Sequence, residues 1–198
     1  MSLAPLQYPI ALMEKAPPFE KLKGVDGKEY SSPSFDGDKI LVLIFIANRC
    51  PTARVYTDRM NAIQRDYGPR GVQIVAVNSD SQYLFSTEAY SEMVKISQER
   101  GFSFPYLKDE DQKLAKSFGA LVTLHAFVLD EERRFRYRGR IDDSRDPELV
   151  TTNDLRNALD DLLENRQVRV PETRPFACAI ELFGPCVSCG DQLGSPPP

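Results

Sequence analysis

The residue with the clearest chemical promise is Cys50, in the stretch Phe45-Ile46-Ala47-Asn48-Arg49-Cys50-Pro51-Thr52-Ala53-Arg54. A buried-type run ends just before it and proline, suited to the first position of a helix, follows it. Free backbone N–H groups and the positive end of the helix dipole favour a thiolate at such a turn, and Arg49 and Arg54 add positive charge. These surroundings can lower a cysteine pKa from about 8.5 into the range of about 3.5 to 7.5; the bland alternative is an inert cysteine that ends a strand. His125, the only histidine, is either an imidazolium partner for that thiolate or a loop residue bonded to backbone. Asn48 and Asn78 each follow a strand and are placed to orient a substrate or to cap a loop. Asp142 and Asp143, beside Arg138, Arg140 and Arg145, read as a solvated charged loop more readily than as acid–base or metal chemistry. Three of the four cysteines, Cys178, Cys186 and Cys189, fall in the last part of the chain. Cys186 and Cys189 form C-x-x-C, half a zinc site or a labile disulfide, with Cys178 as a further potential ligand. One histidine and four cysteines make a metal centre a poor expectation, and no metal and no cofactor are expected.

The elements that must position Cys50 are legible in the apolar pattern. Residues 40–46, Ile-Leu-Val-Leu-Ile-Phe-Ile, predict a central strand buried on both faces, and 72–77 a second one. Tyr56, Met60, Ile63 and Tyr67 predict one helix of about four turns from Pro51 to the Gly68-Pro69 stop. Further helices are predicted over 87–100, 114–118 and 153–165, and a hairpin joins 126–129 to 135–138. Strands at 19–22 and 28–31 flank Val25-Asp26-Gly27, an N-terminal β-hairpin. The fold class is therefore α/β, a sandwich with a mixed central sheet flanked by helices. The chain divides into an extended, proline-containing arm (1–18), one domain (19–165) and an irregular C-terminal tail rich in proline and cysteine (166–198) that wraps or dangles.

Composition narrows the function classes. In 198 residues, 25 Lys+Arg against 29 Asp+Glu give a net charge of −4 with no basic run, which disfavours nucleic acid or an anionic membrane as partner. The longest apolar run is far too short to span a bilayer. Four cysteines are too few for a disulfide-built scaffold, so a cytoplasmic location is expected, a removed export signal being the alternative.

Asn48-Arg49-Cys50-Pro51 followed by Arg54, Tyr56 and Asp58-Arg59, then Val75-Ala76-Val77-Asn78, Phe118-Gly119, Phe127-Val128-Leu129-Asp130 and Tyr137-Arg138-Gly139-Arg140-Ile141-Asp142-Asp143, together resemble the thioredoxin superfamily. The resemblance is to its peroxiredoxin-like branch of alkyl hydroperoxide reductase and thiol-specific antioxidant type, with a single cysteine in N-x-C-P. It runs from the first hairpin to about residue 163. It implies a thiol-dependent oxidoreductase or antioxidant peroxidase in which Cys50 reacts with a peroxide or disulfide through a sulfenic acid or mixed disulfide. An external thiol reductant, thioredoxin- or glutathione-like, would then restore it. Cys178 matches a C-terminal cysteine often carried in this branch, which makes it the natural resolving partner; an unpaired tail cysteine is the alternative.

Three positions depart from the family templates. Ala53 replaces the second cysteine of C-x-x-C, so that motif's dithiol exchange is impossible. Ala47 replaces a peroxide-orienting Thr or Ser, which predicts slow peroxide turnover. Leu124 stands where thioredoxins carry a cis-proline and peroxiredoxins an arginine, and a trans peptide is expected there. Leu124 and His125 remain candidates for substrate contact with Arg49 and Asn78; Asn48, Arg54 and Cys178 are the candidate catalytic companions of Cys50. The rival reading is a redox-inactive thioredoxin-fold binding module.

Overall fold

The computed structural model describes residues 8–182. Its centre is β3 (Ile40–Phe45), six consecutive buried residues. It pairs in parallel with β4 (Val72–Asn78), Val42 opposite Ile74, and antiparallel with β6 (His125–Leu129), Val42 opposite Val128. β-branched and aromatic side chains on both faces explain why this run is a strand covered on both sides. With β1 (Leu22–Gly24), β2 (Glu29–Tyr30), β5 (Tyr106–Lys108) and β7 (Phe135–Gly139), the mixed seven-stranded sheet has the order β2-β1-β5-β4-β3-β6-β7.

Strand alternation divides the core in two. Ile40, Val42 and Ile44 share a face with Ile74, Ala76, Ala126 and Val128. Helices α2 (Thr57–Tyr67), α3 (Tyr90–Glu99) and α5 (Asp154–Leu163) cover that face through Met60, Ile63, Met93, Leu155 and Leu159. Leu41, Leu43 and Phe45 share the other face with Val75, Val77, Phe127 and Leu129, packed by Leu114 and Phe118 of α4 (Lys113–Phe118). Each fully buried large side chain contributes about 1.5 to 3 kcal/mol. Cys50 belongs to the first face.

Several elements differ from the sequence expectation for local reasons. The hairpin strands shift to 22–24 and 29–30, with Gly27 at φ 83 in the turn, because Phe19 is drawn into the core and its N–H is taken by the Ser32 hydroxyl at 2.9 Å. The helix expected over 51–67 is two: α1 (Pro51–Val55) and α2, joined at Tyr56. Tyr56 is buried, and its hydroxyl donates to Asp142 (2.5 Å) and to the Ser144 carbonyl (2.9 Å). The helix expected over 87–100 starts only at Tyr90, after a 3-10 turn (Ser86–Glu88) and an extended Ala89. β5, a three-residue strand after Pro105, had no counterpart in the sequence reading.

The described part of the N-terminal arm lies along β7, where Met13 donates to the Phe135 carbonyl and Ala16 to the Arg133 carbonyl, both at 2.8 Å. Residues 166–182 wrap. Arg138 donates to the Pro171 carbonyl, Thr173 to the Arg138 carbonyl and Ile180 to the Leu121 carbonyl, and isolated bridges join Glu172 to Arg138 and Ala179 to Val122. Among the described residues no helix is long and apolar enough to cross a membrane.

Candidate active site

Cys50 sits where β3 gives way to α1. The chain turns over residues 47–50, the Cys50 N–H donating to the Ala47 carbonyl at 3.2 Å. Cys50 is then the N-cap of α1 with Pro51 next, and its sulfur accepts from the Ala53 N–H at 3.4 Å. Ala53, at the position of the absent second thiol, thus serves the first through its backbone. Two further groups converge on the sulfur. The Thr123 hydroxyl lies 3.1 Å from Cys50 Sγ, and the Cys178 Sγ lies within hydrogen-bonding distance of it at 2.8 Å. Burial pushes the Cys50 thiol up, but bonds from Cys178, Thr123 and the Ala53 N–H overcome this, leaving it below the usual cysteine value. Cys178 moves oppositely, to about 11, through burial, its hydrogen bond to Cys50 and the charge of Cys50, with Arg49 pulling it down.

A strap carries Cys178 to this place. Thr123 N–H donates to the Cys178 carbonyl at 2.8 Å, so one residue holds the strap by its backbone and touches Cys50 by its side chain. Arg49 reaches the Ala179 carbonyl (3.1 Å) and pairs with the buried Asp80 (2.8 Å), whose other oxygen takes the Glu181 N–H (2.9 Å). The Arg49 guanidinium also lies over the Phe85 ring, 4.0 Å from its centroid. At the strap's start Thr173 packs on Gly139, where an added Cβ would meet the Thr173 carbonyl oxygen at 2.6 Å and its nitrogen at 2.9 Å. Only glycine admits this approach, and Gly139 also takes φ 152.

The remaining sequence candidates fall into different places. His125 is not a partner of Cys50. It faces the other side of the sheet, its ring centroid 4.1 Å from that of Phe127 and its Nε2 3.1 Å from the Tyr8 hydroxyl. Burial, with Arg138 nearby, pushes its pKa down to about 3, so it is a neutral ring. Leu124 takes a left-handed backbone (φ 59), its N–H donating to the Phe45 carbonyl at 2.6 Å, and no cis peptide bond occurs among the described residues. Its side chain is buried in the core, not offered to a substrate. Asn48 and Asn78 are likewise spent internally. Asn48 bonds the Thr87 carbonyl (2.7 Å) and the Tyr106 hydroxyl (2.9 Å), and Asn78 bonds Glu88 (2.7 Å) and Tyr106 (2.9 Å). Arg54 is exposed on α1 and makes no ion pair among the described residues. Asp142 is no solvated loop residue: it is 3% exposed, and Arg59 bonds both its oxygens at 2.9 and 2.7 Å. It anchors α2 and its junction with α1 at Tyr56. Asp143, half-buried, accepts from Thr151. Cys186 and Cys189 lie outside the described residues.

Sequence reasoning gave no role to the Thr123 hydroxyl, Asp80, Glu88 or the Gly139–Thr173 approach. Thr123 carried one usable signal, its place next to the position that family members give to proline or arginine; the others carried none.

Comparison with known proteins supports this frame. The AhpC/TSA family profile matches residues 12–138. A hypothetical protein from Sinorhizobium meliloti 1021 is 32% identical, with a TM-score of 0.82 over 89% of this chain and 97% of its own. An uncharacterized conserved protein from Geobacillus kaustophilus is 33% identical, with a TM-score of 0.82 over 93% of this chain and 99% of its own. The peroxidoxin BcpB from Mycobacterium tuberculosis shares the fold at 19% identity, with a TM-score of 0.61 over 78% of this chain and 97% of its own. No curated protein sequence matches. With its thioredoxin-like sheet, a cysteine capping the helix after the central strand and a family match across most of that sheet, the chain belongs to the AhpC/TSA family.

Proposed function

We propose that the protein is a thiol-dependent oxidoreductase in which Cys50 attacks and Cys178 resolves. The observation that carries this reading is the 2.8 Å approach of the two sulfurs, from residues 128 apart in the chain, with a hydroxyl and a backbone N–H on the same Cys50 sulfur. With a peroxide, the Cys50 thiolate forms an S–O bond as the O–O bond breaks, and the alkoxide or hydroxide leaves and takes a proton. The Cys178 thiolate then attacks the sulfenic sulfur, an S–S bond forms, and hydroxide departs as water. With a disulfide substrate, Cys50 displaces one thiolate and Cys178 then displaces the other. A thiol reductant outside the chain supplies the two electrons that reopen the Cys50–Cys178 bond.

The order of events follows from the pair's electrostatics. Burial, the hydrogen bond to Cys50 and the charge of Cys50 hold Cys178 protonated while Cys50 is the thiolate. Oxidation of Cys50 to neutral sulfenic acid removes that charge, so burial still opposes the Cys178 thiolate but Arg49 favours it without the charge of Cys50 acting against it. Cys178 is thereby easier to deprotonate at the step that needs a nucleophile. Sulfenic-acid trapping with site-resolved mass spectrometry tests the reading. Peroxide-treated Cys178→Ser protein should carry the adduct at Cys50; a Cys50 that takes neither an adduct nor a mixed disulfide from peroxide or oxidised glutathione refutes it and favours a binding module.

A further inference from the structure

We propose that Glu88 is a positioning residue for the Cys50 thiol, its buried carboxylate holding the turn that presents the sulfur. This rests on Cys50 being the reactive thiol. Glu88 is fully buried. One carboxylate oxygen accepts the Asn48 N–H at 2.9 Å and the Asn78 side-chain amide at 2.7 Å; the other accepts the Arg49 N–H at 2.8 Å. Asn48 and Arg49 are the two residues immediately before Cys50, in a turn with only the 3.2 Å Cys50-to-Ala47 bond of its own.

Burying a carboxylate is costly unless its oxygens are satisfied, and here the partners are the site's own backbone. The network continues outward. The Lys108 ammonium donates to the Asp80 carbonyl (2.6 Å), the Glu88 carbonyl (3.0 Å) and the Asn78 side chain (3.3 Å). Asp80 in turn holds Arg49 and the strap at Glu181. The fold yields helix to make room for this: residues 86–88 form a 3-10 turn, and α3 starts after it.

Glu88→Gln keeps the shape but has one accepting oxygen, so at least one of the two backbone N–H groups faces an amide donor. The readout is the pH midpoint of site-resolved Cys50 alkylation, with the rate of Cys50–Cys178 disulfide formation in oxidised glutathione. Loss of charge alone would favour the thiolate and move the midpoint down. Loss of positioning moves it up, by about half a pH unit or more, and slows disulfide formation several-fold. A midpoint that stays or falls overturns the inference, whatever happens to the melting temperature. If Glu88→Gln does not fold, Asn78→Ser, which removes one tether of the same carboxylate, decides by the same criterion with a smaller upward shift expected. A wild-type midpoint at or above that of free cysteine overturns both this inference and the proposed function; a depressed wild-type midpoint unchanged in the variant overturns this inference alone.

Discussion

Thr123→Val should raise the pH at which Cys50 becomes reactive. The substitution is close to isosteric and leaves the Thr123 backbone bond to the Cys178 carbonyl in place, so strap and core packing survive. It removes the hydroxyl 3.1 Å from Cys50 Sγ, one of the groups that overcome burial and hold the thiol below its usual value. A hydrogen bond to a charged group is worth about 1.5 to 3 kcal/mol, and sulfur is a weak acceptor. The lower end, about 1.5 kcal/mol, corresponds to about one pH unit. Below the midpoint the thiolate fraction should then fall about tenfold. Alkylation by iodoacetamide, read at Cys50 by mass spectrometry across a pH series, measures it. A midpoint within a few tenths of a unit of wild type would show that the hydroxyl does not stabilise the thiolate; equal slowing at every pH would show that it acts only by shape.

Gly139→Ala should unseat the strap, since the new Cβ meets the Thr173 backbone at 2.6 and 2.9 Å; Cys50–Cys178 disulfide formation, followed in oxidised glutathione, should slow about tenfold or more. His125 is held neutral, with a pKa of about 3 against an ordinary 6.5. The unfolded chain therefore binds a proton that the folded one refuses between those values, so the stability this provides is full above 6.5 and is lost as pH falls toward 3. Urea unfolding at pH values below 6.5 should show a slope of about 1.4 kcal/mol per unit from this residue, absent in His125→Gln. Asp142→Asn should cost about 3 to 5 kcal/mol by leaving Arg59 without its buried partner, seen as a lower urea midpoint; a change below about 1 kcal/mol would place the pair among ordinary surface ion pairs.

The strands that carry the site were legible because Ile40–Phe45 and Val72–Asn78 are saturated with β-branched and aromatic residues, and this pattern has few other solutions. Cys50 was legible for a local reason as well: strand, turn and Pro51 are contiguous. What was not legible depends on long-range geometry. Which face His125 takes is fixed by its pairing with Phe45 and by a left-handed Leu124, neither of which a β-pattern reveals. The left-handed residue is also what lets Thr123 reach Cys50 just before a strand whose first side chain points the other way. Glu88, in a polar Ser-Thr-Glu run, looks like the exposed start of a helix, and its burial follows only once β3 and β4 lie side by side. Cys178 stands 128 residues from Cys50 in a segment without periodicity, where the family resemblance pointed to a resolving role that no local pattern supports.

The central claim is that Cys50 and Cys178 form one redox unit. Non-reducing peptide mapping of the whole chain after mild oxidation measures this directly. The dominant linkage should be Cys50 to Cys178, reversed by a thiol reductant, and Cys178→Ser should instead accumulate sulfenic acid or a glutathione adduct at Cys50. A map in which Cys50 and Cys178 both stay free, or in which Cys178 can be replaced without changing the fate of Cys50, would contradict it.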